Sequence, residues 1–211
     1  MLFLGLNFLF GQNGKEFVVE FSEIDSLQYV KLKENYSNKL VVDSTKQTIP
    51  DSSFTLIINN KNQQFSCKEE YNPCYYYNGF LPSINSFIIT YCTIDICETF
   101  LIDKTSGESK TLFSPYDNQS EVPLFSKNLK KMLVFASNVF DTESFISIYQ
   151  RANEDEDFNF DSYESLTTDK WKIYEAIWIN ENSFALMTFE KYGGISGSVP
   201  LNVNYMIGEM K

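Results

Sequence analysis

The sequence contains no histidine. That removes Ser-His-Asp and Cys-His mechanisms, histidine-ligated zinc and the usual switch near neutral pH, leaving any chemistry to carboxylates, Tyr, Lys or an unassisted Cys. Basic residues are also few. Seventeen Lys and Arg stand against 28 Asp and Glu, and a net charge of −11 repels a nucleic-acid backbone or an anionic membrane surface. No nucleic-acid partner is expected. Long apolar runs are missing too: Met1 to Phe10, MLFLGLNFLF, is too short to span a bilayer, so no membrane insertion of the mature chain is expected. Scarce Ala and weak helical periodicity argue against a helix bundle. The glycine-rich turn Gly193 to Ser198 has no G-K-[ST] after it and is no phosphate loop. No cofactor is implied.

What is present points to strands. The 211 residues are 43% apolar, enough for a sizeable core, and 16% aromatic, with 19 Phe and 13 Tyr favouring pleated, half-buried surfaces. The apolar start ending at Gly11-Gln12-Asn13-Gly14 resembles the h-region and cleavage end of a bacterial secretory signal peptide. It lacks the basic n-region and carries Gln12 where Ala is usual, as a truncated or misassigned start would; a buried first strand is the alternative. Residues 1–12 are read as signal peptide and 13–211 as one all-β domain. No Cys follows the run, so a lipid anchor is not supported.

One hairpin unit recurs. Leu124-Phe125 leads through Ser126-Lys127-Asn128-Leu129-Lys130-Lys131 into Met132 to Ala136, and Phe145 to Tyr149 alternates after it. Upstream, Phe80-Leu81 passes through Pro82 to Ser86 into Phe87 to Tyr91, followed by Thr99 to Ile102 and a Thr105-Ser106-Gly107-Glu108 turn. Downstream, Ile177 to Ile179 passes through Asn180 to Ser183 into Phe184 to Thr188, with Val203 to Ile207 as a later partner. Ile88, Leu133 and Ala185 then fall 45 and 52 residues apart, close to one four-stranded blade per repeat. The repeats lie near 80–112, 124–149 and 177–207.

This unit resembles the repeats of TolB-like β-propellers, whose turn usually reads Ser-Pro-Asp-Gly-Lys before an apolar strand and whose next hairpin carries an Asp-x-x-Thr-Gly-Glu turn. Ser126 and Lys131 fit the first, and Asp103 with Gly107-Glu108 fits the second. Lys127, Asn128 and Leu129 stand where Pro, Asp and Gly are expected. The resemblance implies an all-β, propeller-like array of antiparallel sheets and no particular activity. A β-sandwich or other antiparallel meander is the alternative. Before the repeats, Glu16 to Phe21, Leu27 to Leu32, Lys39 to Val42 and Phe54 to Ile58 are candidate strands, the last entering an Asn59-Asn60-Lys61-Asn62 turn. In a propeller this region lends a strand to the final sheet and removes exposed edges.

Four cysteines permit three pairings. Cys67 with Cys74 and Cys92 with Cys97 are favoured, since each pair brackets a short loop, and disulfides agree with a periplasmic or extracellular location. Buried free thiols are the alternative; zinc is disfavoured by spacing and by the missing His. The acidic stretch Asn153 to Glu164 places oxygen-bearing side chains at positions 1, 3, 5, 7, 9 and 12 of a calcium-loop rhythm. Phe158 stands where the loop needs Gly, so a solvated loop is expected.

Tyr71, Tyr75, Tyr76 and Tyr77 crowd beside Cys74. Tyr-rich loops held by a disulfide make good recognition surfaces, because large rings are ordered at small entropic cost. The alternative is that alternate rings pack into the core as a strand begins. Trp171 and Trp178 are read as core. The resulting expectation is a secreted, non-catalytic module that binds a protein or glycan through its loops. Two alternatives stay open: a periplasmic immunity or inhibitor protein whose acidic surface neutralises a basic enzyme, and a carboxylate-dependent hydrolase.

Overall fold

The computed structural model describes residues 18–37, 39–46, 53–67, 73–93, 96–112, 122–137, 143–151, 160–193 and 199–211. The signal-like residues 1–12 lie outside these. The described chain is all-β apart from one α-helix and two short 3-10 turns, Ser44–Lys46 and Pro82–Ile84. Its strands are β1 (Val19–Ile24), β2 (Ser53–Ile58), β3 (Lys61–Ser66), β4 (Cys74–Leu81), β5 (Ser86–Cys92), β6 (Cys97–Asp103), β7 (Ser109–Leu112), β8 (Leu124–Phe125), β9 (Lys131–Ser137), β10 (Ser144–Arg151), β11 (Phe160–Thr168), β12 (Lys172–Asn180), β13 (Ser183–Phe189), β14 (Lys191–Gly193), β15 (Val199–Leu201) and β16 (Asn204–Met210). Every described pairing is antiparallel, and no sheet closes on itself.

Three sheets have four strands: β4-β5-β6-β7, β11-β10-β9-β8 and β1-β16-β13-β12. The first two are simple meanders, in which each hairpin puts consecutive strands side by side. The third is completed by the N-terminal β1, which pairs along its whole length with β16, from Val19 opposite Met210 to Ile24 opposite Tyr205. Ile88, Leu133 and Ala185 each sit, fully buried, on the strand next to an edge strand, β4, β8 or β12, of one of these sheets. The small hairpins β2-β3 and β14-β15 make up the rest.

The chain divides into two compact units. In the first, which gathers 1–38, 123–151 and 160–211, two sheets pack face to face. Leu133, Phe135, Ile146 and Ile148 of one sheet meet Val19, Ile173, Ala176, Trp178, Phe184 and Leu186 of the other. Two side chains at this contact pair their buried polar atoms with the backbone: the Trp178 indole donates to the Leu124 carbonyl at 2.9 Å. The Ser137 hydroxyl donates to the Ile173 carbonyl at 2.9 Å while accepting the Ile173 N–H at 2.7 Å.

A helix covers the other face of the β1-β16-β13-β12 sheet. This α1 (Ser26–Glu34) buries Tyr29 against Ile177 and Ala185. The candidate strand Leu27 to Leu32 is therefore helical. Asp25 caps it: its carboxylate accepts the Gln28 N–H at 2.8 Å and the Gln28 side chain accepts the Asp25 N–H at 3.0 Å, a reciprocal box that satisfies two orphan donors. The Tyr29 hydroxyl then donates to Glu175 of β12 at 3.1 Å, and Lys33 pairs with the same carboxylate at 2.6 Å. Burial, reinforced by the Glu175 charge, pushes the Tyr29 phenol far above its ordinary value.

The second unit is built from the described residues between 39 and 112. Phe54, Leu56 and Ile58 alternate inward along β2, and with Phe65 they pack on Phe87 and Ile89 of β5. Asn59 and Asn60 both take positive φ, 50° and 58°, the mirror-image turn that matches the twist of a two-residue hairpin. The candidate strand Lys39 to Val42 reduces to one bridge, Val41 opposite Phe80. It is too short a contact to make a strand.

The recurring turns follow their side chains. Asn128 Oδ1 accepts the Lys130 N–H at 2.9 Å, Ser126 Oγ accepts the Lys131 N–H at 3.1 Å, and Leu129, where the propeller repeats have Gly, sits at φ 63°. In the next hairpin type, Asp103 Oδ1 accepts N–H groups of Thr105 and Ser106 at 2.8 and 2.6 Å, and Gly107 takes φ 76°. Gly is free of the Cβ clash that such a φ imposes.

Candidate recognition surface

The cysteines close one end of the β4-β5-β6 ladder. Cys67 is bonded to Cys74 and Cys92 to Cys97, with Cα atoms 4.1 and 4.0 Å apart, and no described cysteine is free. Register explains the choice. The Thr93 N–H donates to the Ile96 carbonyl at 2.8 Å, so the adjacent pair Cys92/Cys97 occupies a close, non-hydrogen-bonded site of the antiparallel ladder. A strand residue points its N–H and C=O to the same side. Cys92 therefore hydrogen-bonds toward Cys74, its partner in β4, and Cys74 in turn presents a close site to Cys67. Both disulfides thus sit at close sites, and the wider Cys74/Cys92 site lies between them.

The tyrosines divide by strand alternation. Tyr75 and Tyr77 turn toward the β2-β3 hairpin and pack on its core cluster, while Tyr76, 39% exposed, leaves the opposite face with Cys74 and Cys92. Tyr71 lies outside the described residues. Tyr75 contacts Phe65 at 5.4 Å between ring centroids and Tyr91 at 4.7 Å, while Phe54 stacks on Phe65 at 5.2 Å and tilts toward Tyr77 at 5.9 Å. Such offset and edge contacts fix each ring. Desolvation, with the Asp43 charge second, raises the Tyr77 phenol above its ordinary value, and Lys46 lies 6.0 Å from that ring.

Two residues at this end were not singled out from sequence. Tyr91, half-buried, faces Tyr75 on one side and exposed Glu98 on the other, and Ile96 at the hairpin turn is 47% exposed. The available signal was the even spacing of ring and cysteine: Tyr91 precedes Cys92 as Tyr75 follows Cys74, which places the rings opposite each other once the cysteines are aligned. The stapled end therefore presents rigid rings, an exposed aliphatic side chain and little charge beyond Glu98 among its described residues. It can bind.

Other sequence candidates fall elsewhere. Of the acidic stretch, residues 153–159 lie outside the described residues, and Phe160 to Glu164 run as strand β11 paired with Arg151 to Ile148 of β10. Among the described residues no three acidic or cysteine side chains gather as metal ligands, and no helix is long and apolar enough to cross a membrane. Trp178 is buried in the core and Trp171 packs beside it against Phe21 at 5.7 Å. Compared with known proteins, the chain matches no family model, no curated protein and no solved structure.

Proposed function

We propose that this chain is a secreted or periplasmic, non-catalytic binding module that recognises a protein or glycan through the disulfide-closed end of its β4-β5-β6 ladder. One observation carries the reading: the strands and turn that the two disulfides tie carry the Tyr75/Tyr91 ring pair on one face, exposed Tyr76 on the other and exposed Ile96 at the tip. Flat rings on a pre-ordered scaffold lose little entropy on binding and stack on sugar faces or apolar side chains. The disulfides support an oxidising compartment. The meander order of the four-stranded sheets, with β1 completing the last, supports reading them as blades of a propeller-like fold.

The test is a retention assay with the chain from residue 13 onward, against a glycan panel and against extracellular and periplasmic proteins at low and high salt. Tyr76→Ala and Tyr91→Ala should each weaken retention about tenfold, corresponding to about 1.4 kcal/mol for loss of one anchoring ring. A near-UV circular dichroism spectrum close to the parent shows that the strands persist. A single basic partner retained at low salt, lost at high salt and indifferent to both substitutions would overturn this reading in favour of an inhibitor.

A further inference from the structure

The four cysteines form one row across neighbouring strands. Cys67 faces Cys74, Cys74 faces Cys92 and Cys92 faces Cys97; directly opposed residues share a face, so all four side chains leave the sheet on the same side. Each bond joins an outer cysteine to an inner one. The inner two, Cys74 and Cys92, face each other. Their wide, hydrogen-bonded site sets Cα atoms about 5.5 Å apart, in the middle of the range that a disulfide spans.

We propose that this row is a thiol–disulfide exchange site that accepts a small monothiol at Cys97 and transfers the opening along the row. The incoming thiolate attacks Cys97 Sγ, forming a mixed disulfide and breaking the bond to Cys92, which leaves as thiolate. Cys92 Sγ then attacks Cys74 Sγ, forming the Cys74–Cys92 bond and expelling Cys67 as thiolate. One S–S bond forms for each that breaks, and no electron is gained or lost. A second thiol resolving the mixed disulfide on Cys97 makes the net change a two-electron reduction, with the thiol as reductant.

Order and exposure give the direction. Thiolate, central sulfur and leaving sulfur must line up for exchange, and Cys92, Cys74 and Cys67 stand in that sequence across the ladder. Both cysteines of the Cys92–Cys97 bond are half-buried, whereas the other bond joins half-buried Cys67 to Cys74, which is only 6% exposed. Entry is therefore at the Cys92–Cys97 bond, and Cys74 is reached from within. This inference goes beyond ligand recognition and stands whichever partner the rings bind.

The experiment treats the folded full chain with reduced glutathione in native buffer, quenches with acid, alkylates with N-ethylmaleimide and maps the peptides by mass. The expected major singly opened species carries glutathione on Cys97, a maleimide on Cys67 and a Cys74–Cys92 bond. Glutathione on Cys97 with a maleimide on Cys92 and an intact Cys67–Cys74 bond would overturn the proposal. So would an even mixture of all pairings, the signature of exchange through unfolding. Independently, the double variant Cys67→Ser/Cys97→Ser should hold a Cys74–Cys92 bond without added thiol, and two free thiols in a folded variant would count against it.

Discussion

Replacing Gly208 by Ala puts a methyl group where two aromatic rings already meet. Gly208 lies on β16 directly opposite Phe21 of β1 and Phe184 of β13. A Cβ there falls 2.6 Å from Phe184 Cζ, 2.8 Å from Phe184 Cε2 and 3.0 Å from Phe21 Cε1, all inside van der Waals contact. The rings have little room to retreat. Phe184 is fully buried, edge-on to Trp178 at 6.1 Å and to Phe21 at 6.2 Å, and Phe21 is itself held against Trp171 at 5.7 Å.

An added methyl in a packed core costs about 1–3 kcal/mol. Stiffening of the unfolded chain by Gly→Ala offsets about 0.4–1 kcal/mol, so the net loss should be about 1–2 kcal/mol. Urea unfolding with disulfides intact, followed by tryptophan fluorescence, isolates the effect, because the two tryptophans lie in the same unit as Gly208. The midpoint should fall with the slope unchanged. Phe184→Leu makes room for the methyl, so Gly208→Ala should cost less in that background, a coupling of at least about 0.5 kcal/mol. An unchanged or raised midpoint in the single variant would refute the packing argument.

Removing the Cys92–Cys97 bond as Cys92→Ser/Cys97→Ser should lower stability by about 2 kcal/mol, the chain entropy of so small a loop, read from tyrosine circular dichroism during unfolding. Asp103→Ala strips the acceptor from two N–H groups at a position 8% exposed; unfolding in urea should show a loss of about 1–2 kcal/mol, with Asp103→Asn milder. Hydrogen bonds from Lys46, then from Thr45, hold the Asp43 carboxyl down at about 2. Since the folded value is depressed, its stabilisation is present above the ordinary carboxylate value of 3.8 and fades as pH falls through about 2. An NMR titration should show that midpoint, moving up toward the ordinary value in Lys46→Ala and at high salt.

The parts of this fold legible in the sequence are those decided by a few adjacent residues. Ser126 to Lys131, Asp103 to Glu108 and Asn180 to Ser183 each become hairpin turns because Asn, Asp and Ser side chains bond the backbone within their own turn, and Asn59-Asn60 becomes one because Asn tolerates a positive φ. Helix α1 escaped an apolar reading because Leu27, Tyr29, Val30 and Leu32 ring it without a stripe; Leu27 and Val30 are 72% and 50% exposed while Tyr29 is buried. Its signal was the cap, Asp25 with Gln28. The pairing of β1 with β16 joins opposite ends of the chain and leaves no local mark. In the run Tyr75-Tyr76-Tyr77 the residue type is visible, but which rings face the core follows only from where the strand begins.

The placement of the cysteines is the strongest argument that this end serves more than folding. A disulfide stabilises most when it closes a long loop of the unfolded chain, yet these close sequence separations of only 7 and 5. The Cys92–Cys97 bond joins strands already paired along the full length of β5, whereas Cys67–Cys74 ties the end of β3 to β4 across a single bridge. Bonds closing loops this short add only about 2 kcal/mol each from chain entropy, and their local effect falls on the end of the ladder. They hold the Thr93/Ile96 pair and the Tyr75/Tyr91 ring pair in one arrangement and set four sulfurs in register. Local order of that kind supports both recognition by the rings and exchange along the row, and the two assays separate them: tyrosine substitutions should change retention and leave the disulfide map as it is.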